Sequence, residues 1–163
     1  MKVVLVRVDD RLIHGQVVVG WTRTVGGTNI VVANDEVANN SMQRTLLKMA
    51  TPVGVKATIL TVEEAGKQLN EKKFTGDNVI VLVRDPQSLV KLVEAGFNLQ
   101  KVNVGNVRAA QGKIRLTKEV HASEVEIEAW KKLDKLGVTL EAQWLPDQPK
   151  TNFNDVIKQI FSK

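Results

Sequence analysis

The chain has 163 residues, 43% of them apolar and 25% charged, which fits one globular core and excludes a disordered tail or a fibre. Its 23 basic and 18 acidic residues leave a net charge of +5, a mild excess suited to phosphate, an acidic partner or a membrane surface. With no cysteine, disulfides, thiolate catalysis and cysteine-ligated zinc are excluded, and the two histidines, His14 and His121, are the only imidazoles available as neutral nitrogen nucleophiles.

Residues Lys2 to Val8 are rich in β-branched side chains and stop at Asp9-Asp10, the pattern of a buried strand ending in a polar loop. His14 to Thr24 suits a helix that ends near Gly26-Gly27, and Asn29 to Ala33 is a second apolar strand closing on Asn34-Asp35. Asn39 to Met49 has helical spacing of Met42, Leu46, Leu47 and Met49. Lys56 to Leu60 reads as a strand, Val62 to Leu69 as a helix, Val79 to Val83 as a strand, and Gln87 to Ala95 as a helix ending at Gly96. Lys101 to Val104 is a strand before Gly105-Asn106, and Lys113 to Leu116 a short hairpin arm after Gly112. Ser123 stands three residues before Glu126, a capping-box spacing that opens a helix to Leu136. Val138 to Trp144 is a last strand before Pro146 and Pro149, and Asn154 to Ile160 a final helix.

Strands alternating with helices predict an α/β fold: residues 1–163 form a single doubly wound domain, a mostly parallel open sheet with helices on both faces. The start meets Arg7 and two aspartates before a signal-peptide core could form. No apolar run approaches the ~18 residues that cross a bilayer, so a cytoplasmic location is expected.

In such folds ligands gather at the carboxyl ends of strands near a switch point. Those ends carry Asp9 to Gln16, Asn34-Asp35, Arg84-Asp85-Pro86 and Gly105 to Arg108, with arginines at 11, 84 and 108 that suit an anion. His14 falls between the first strand and its helix, beside backbone N–H groups without intrahelical partners and in the favourable field of the helix dipole. Gly15 permits close backbone approach to a phosphate, Gln16 can donate a hydrogen bond to it, and Arg11 can offer a bidentate fork to its oxygens. A carboxylate repels phosphate, so Asp9 or Asp10 has an orienting role toward a loop amide, Arg11 or the imidazole N–H; the sequence does not separate them.

The run from Arg7 to Val17 resembles the signature of the IIB component of the mannose/fructose/sorbose family of the bacterial phosphoenolpyruvate-dependent sugar phosphotransferase system. Val32 to Asp35, Thr45 to Leu47, Arg84 to Pro86, Asn103 to Asn106 and Leu133 to Val138 are similar to that family as well, in colinear order along the chain. The resemblance implies that His14 accepts a phosphoryl group on Nδ1 from a phosphohistidine of a IIA protein, with Arg11 supporting it. It then implies transfer to a sugar during uptake through membrane IIC and IID partners, with no cofactor or metal. The lack of cysteine agrees, because other phosphotransferase families carry the group on a thiolate at this stage. No IIA sequence lies within these residues, so the donor is expected as a separate chain, and the protein is expected to associate peripherally with the permease. The sugar (mannose, fructose, sorbose or an amino sugar) and a homo-oligomeric state are left open.

Rival readings are weaker. Gly112-Lys113 lies seven residues after Gly105 where a P-loop needs five, and Ile114 replaces the required Ser/Thr, so nucleotide binding is not expected. Low aromatic content (4%) and interspersed acids argue against nucleic acid. His121 reads as a surface or capping residue, and Trp21, Trp130 and Trp144 as core or edge packing, with Trp21 placed one helical face from His14.

Overall fold

The computed structural model of the chain describes residues 1–161. In chain order the elements are β1 (Lys2–Asp9), α1 (Gly15–Val25), β2 (Asn29–Ala33), α2 (Asp35–Ala38), α3 (Ser41–Met49), β3 (Lys56–Leu60) and α4 (Val62–Asn70). They continue as β4 (Asn78–Val83), α5 (Pro86–Glu94), β5 (Lys101–Asn106), β6 (Ile114–Arg115), β7 (His121–Ala122), α6 (Glu124–Lys135), β8 (Thr139–Ala142), β9 (Thr151–Asn152) and α7 (Phe153–Phe161). Seven strands make one sheet in the order β3-β2-β4-β1-β5-β8-β9; it is parallel but for β9, which runs antiparallel to β8. The β6–β7 pair is a separate antiparallel arm, where the sequence indicates a short hairpin.

The alternation along each central strand divides the core in two. Val31, Val79, Val81, Val83, Val102 and Val104 face one side and pack with Leu89, Leu133, Trp130 and Phe153 from α5, α6 and α7. Ile30, Val32, Ile80 and Leu82 face the other side and pack with Val18 of α1, Val37 of α2 and the loop residues Leu12 and Ile13. Both faces are thus covered, as a parallel sheet requires. Trp130 and Phe153 meet edge to face with ring centroids 4.9 Å apart and lock α6 to α7.

Helix starts follow their capping residues. Asn34, Asn40, Thr61, Asp85 and Ser123 each accept a backbone N–H of the first turn of α2 to α6, and Ser123 with Glu126 completes the capping box. The helix read from sequence at Asn39 to Met49 is α3, which starts at Ser41 on its cap Asn40; the short α2 before it, capped by Asn34, is an element that the sequence reading lacks. The last parallel strand ends at Ala142 rather than Trp144: the Gln143 N–H still donates to the Val104 carbonyl at 3.0 Å, but its own carbonyl accepts from Arg7 Nη1 at 3.0 Å, and its Nε2 donates to the carbonyls of Pro146 and Gln148, 3.1 and 2.8 Å away, within a turn. β9 after that turn is an element that the sequence reading lacks.

Candidate functional site

Strand β1 lies between β4 and β5, and α1 crosses the opposite sheet face from α5, so the carboxyl end of β1 is the switch point of the fold. The loop that leaves it is held from beneath. Leu12 and Ile13 are buried against Val18 and Val37, and Leu12 takes a left-handed conformation (φ 59°) to bring its side chain inward. The next three residues, His14, Gly15 and Gln16, are exposed. His14 is the N-cap residue of α1, extended at φ −147° and ψ 107°, and its side chain makes no capping hydrogen bond. Gly15 follows at φ 47°. The imidazole therefore stands in solvent beside the unpaired N–H groups of the first turn.

Behind the loop is a buried ionic cluster. Asp9, 1% exposed, accepts from the backbone N–H of Arg11 at 3.1 Å and from its Nε at 3.3 Å on one oxygen, and from Arg7 Nη2 at 3.3 Å on the other. Arg11 Nη2 is shielded from solvent and has no partner. Arg7, 2% exposed, also donates from Nη1 to Asn103 Oδ1 and the Gln143 carbonyl and from Nη2 to the Trp144 carbonyl, while the Trp21 ring lies 5.2 Å from its guanidinium carbon. Burial draws its pKa below the usual guanidinium value to about 10 against the opposing pull of Asp9, so it stays charged at neutral pH.

Asp10 has a separate task. One carboxylate oxygen accepts from the backbone N–H and Nε of Arg108, and the other from Asn106 Nδ2 at 3.2 Å. Arg84 Nε donates to the Asp10 carbonyl at 3.2 Å, and Arg84 Nη1 lies 3.6 Å from Glu36. The two arginines assigned from sequence to phosphate are thus already engaged with the loop, Arg84 through its backbone and Arg108 through its acid. Beside them opens a pocket of about 450 Å³ lined by Asp10, Arg84, Gln87, Arg108, Lys113 and Glu126. A larger hollow of about 540 Å³ lies between Trp21, Asn103, Glu141, Gln143 and Pro146.

His121 sits in β7 with Nδ1 3.2 Å from the Val107 carbonyl, and Trp130 is fully buried, both remote in role from the loop. No group of three or more His, Cys, Asp or Glu side chains that would hold a metal ion occurs among the described residues. The residue that sequence reasoning passes over is Arg7. Its signal is an arginine between Val6 and Val8 inside a parallel strand, where both faces are covered and a charge has to be paired.

What this edge offers is a place for a negatively charged group next to a free imidazole, which narrows the class to phosphate-handling α/β proteins. The family model for the PTS system sorbose subfamily IIB component matches residues 3–163, and the chain belongs to that family, whose members are phosphocarriers of sugar uptake. It is 38% identical over 98% of its length to the PTS system mannose-specific EIIAB component of Escherichia coli (strain K12), of which it spans 50%. The chain spans about half the length of the mannose-specific relatives it matches. It is 34% identical to the sorbose-specific EIIB component of Klebsiella pneumoniae, covering 98% of this chain and 97% of that one. The crystal structure of the IIBSor domain of the sorbose permease from Klebsiella pneumoniae superposes with a TM-score of 0.91 at 34% identity, covering 98% of both chains. Among the described residues no helix is long and apolar enough to cross a membrane.

Proposed function

We propose that residues 1–163 act as one IIB domain in which His14 is the phosphoryl acceptor. A neutral ring nitrogen, Nδ1 by the family resemblance, attacks the phosphorus of a phosphohistidine on a separate IIA donor. The P–N bond to the donor breaks as the new P–N bond forms; the His14 ring gives up the proton on its other nitrogen and the departing donor ring takes one up, so the donor imidazole leaves neutral. A sugar hydroxyl later takes the group and gives up its proton, during uptake through membrane IIC and IID components with which the domain associates peripherally from the cytoplasm. The observation that carries this reading is an exposed imidazole at the one helix start among α1 to α6 with no side-chain cap, next to a glycine with positive φ. There the N–H groups of Gly15 and Gln16 and the helix dipole favour an anion, and Arg11, steadied by Asp9, adds a planar cation. Asp10 fixes the loop through Arg108, with Arg84 holding the same loop from the strand beside it. Because the donor must bring its own ring against this loop, the surface from Asp9 to Gln16 is also the docking face.

The test is incubation with phosphoenolpyruvate, the general phosphotransferase proteins and a cognate IIA, followed by mass spectrometry of acid-labile phosphate. One phosphate on His14, absent from His14→Ala, is the expected result. Phosphate elsewhere, or none on the parent protein, overturns the assignment. Sugars offered with the membrane components then separate mannose, fructose, sorbose and amino sugars.

A further inference from the structure

Arg7 is built into the sheet with more care than a structural cation needs. It faces the same side as Asn103, its register partner on β5, and the neighbouring position on that strand is Gly105, where any Cβ would overlap the guanidinium. Strand β5, the turn at Gln143 and Trp144, and the Trp21 ring of α1 all converge on this one group. Trp21 Nε1 donates to the same Trp144 carbonyl at 2.9 Å, so the turn is fastened twice. For stability alone the arrangement is a poor choice, since well-packed apolar residues commonly do as well as a buried ion pair or better. The arrangement does something else: it fills one oxygen of Asp9, and the other oxygen holds both the backbone N–H and the Nε of Arg11, three residues before His14.

We infer that Arg7 is a positioning residue for phosphoryl transfer, holding one oxygen of the buried Asp9 so that the other presents Arg11 to the group on His14. The inference rests on the reading of His14 as acceptor. The charge count explains the need. Asp9 between Arg7 and Arg11 leaves one net positive charge behind the loop, whereas Asp9 with Arg11 alone would cancel the charge that the phosphoryl oxygens require. Without Arg7, Asp9 at 1% exposure would be a buried carboxylate held by Arg11 alone, free to turn away from the loop. Arg11 Nη2, shielded and without a partner, is the donor arm left over by this arrangement.

The experiment measures single-turnover phosphoryl uptake from phosphorylated IIA by the parent protein, Arg7→Met, Arg11→Lys and the double variant, with donor affinity measured separately. A misplaced catalytic group can cost on the order of 100-fold, so Arg7→Met is expected to slow the transfer step about 10- to 100-fold with donor affinity unchanged. In the Arg11→Lys background the same change is expected to cost less than about 3-fold, because two residues on one path do not add. Arg7→Lys keeps the charge but cannot reach the same set of acceptors; it is expected to restore part of the rate that Arg7→Met loses, with donor affinity again unchanged. If Arg7→Met prevents folding, the Arg7→Lys and Arg11→Lys pair gives the same cycle. An Arg7 effect that multiplies in full on Arg11→Lys, or a folded Arg7→Met that transfers at the parent rate, overturns the inference while leaving His14 as acceptor. A parent protein that takes no phosphate overturns the His14 reading and this inference with it.

Discussion

One carboxylate oxygen of Asp10 receives both the backbone N–H and the Nε–H of Arg108, at 2.9 and 3.1 Å, so the loop after β1 is pinned to the chain leaving β5. Asp10 is the sheltered partner, with 15% of its side chain exposed against 68% for Arg108. Removing the acid strands a backbone donor and Asn106 as well, and Asp10→Ala is expected to lower stability by about 1–3 kcal/mol. Arg108→Ala leaves the backbone bond in place and is expected to cost less than about 1 kcal/mol. Urea denaturation of both variants gives the comparison; equal losses would mean that the loop is not anchored through Asp10.

Gly15 and Gly112 both have positive φ, 47° and 83°, and neither has an atom within 4 Å of where a Cβ would stand. Alanine at either position should therefore cost only backbone strain, about 1 kcal/mol. Gly15 adjoins His14 whereas Gly112 lies in the turn before β6, so the larger slowing of phosphoryl uptake should come from Gly15→Ala. Thermal melts and uptake rates, read side by side, check both halves.

Asp77 closes the bottom of the sheet: its carboxylate takes Lys56 Nζ at 2.8 Å and Asn29 Nδ2 at 3.0 Å. The bond from Lys56, then that from Asn29, holds its pKa below the ordinary 3.8. The unfolded chain then binds the proton first as pH falls. The stabilisation is complete above pH 3.8 and is lost as pH drops through the lower folded value. Asp77→Asn should flatten that acid limb of the stability profile while leaving the slope above pH 5 as it is, which a denaturation series from pH 2 to 7 would show.

Glu126 serves two partners with one oxygen, accepting from the Ser123 backbone N–H at 3.1 Å and lying 3.0 Å from Lys113 Nζ. Ser123→Ala removes the other half of the capping box and is expected to cost about 1 kcal/mol. Glu126→Gln keeps the acceptor and loses only the ion pair, so its effect should be smaller. Calorimetry that ranked the two the other way would give Lys113 the larger part in holding α6.

The sequence makes the layers plain because strand signals such as Val79–Val83 and cap signals such as Ser123 with Glu126 are local, and local chemistry fixed them. The loop at His14 was legible for the same reason, as a polar break between an apolar run and a helix. Pairings across the sheet were not. Arg7 and Asn103 are 96 positions apart, and nothing in a valine-rich strand tells which arginine will be covered by a tryptophan from α1 and a turn near Gln143. The question of which aspartate serves Arg11 likewise needed geometry, since Asp9 and Asp10 alternate across the strand end and point into different surroundings. The early end of β8 likewise rests on a distant partner: the Gln143 carbonyl accepts from Arg7, 136 positions away, where the chain turns off.

Helices α2 to α6 all begin on a side chain that ties down their first turn, and α1 begins on His14, which ties down nothing. An asparagine or serine there would make the resting protein firmer by about 1 kcal/mol. The helix start is thus weakest where the proposed chemistry occurs, and an anion fixed to the ring would do the work that a capping residue does elsewhere. The loaded carrier should then melt at a higher temperature than the empty one, so that loading and unloading would alternately tighten and loosen the surface its partners read.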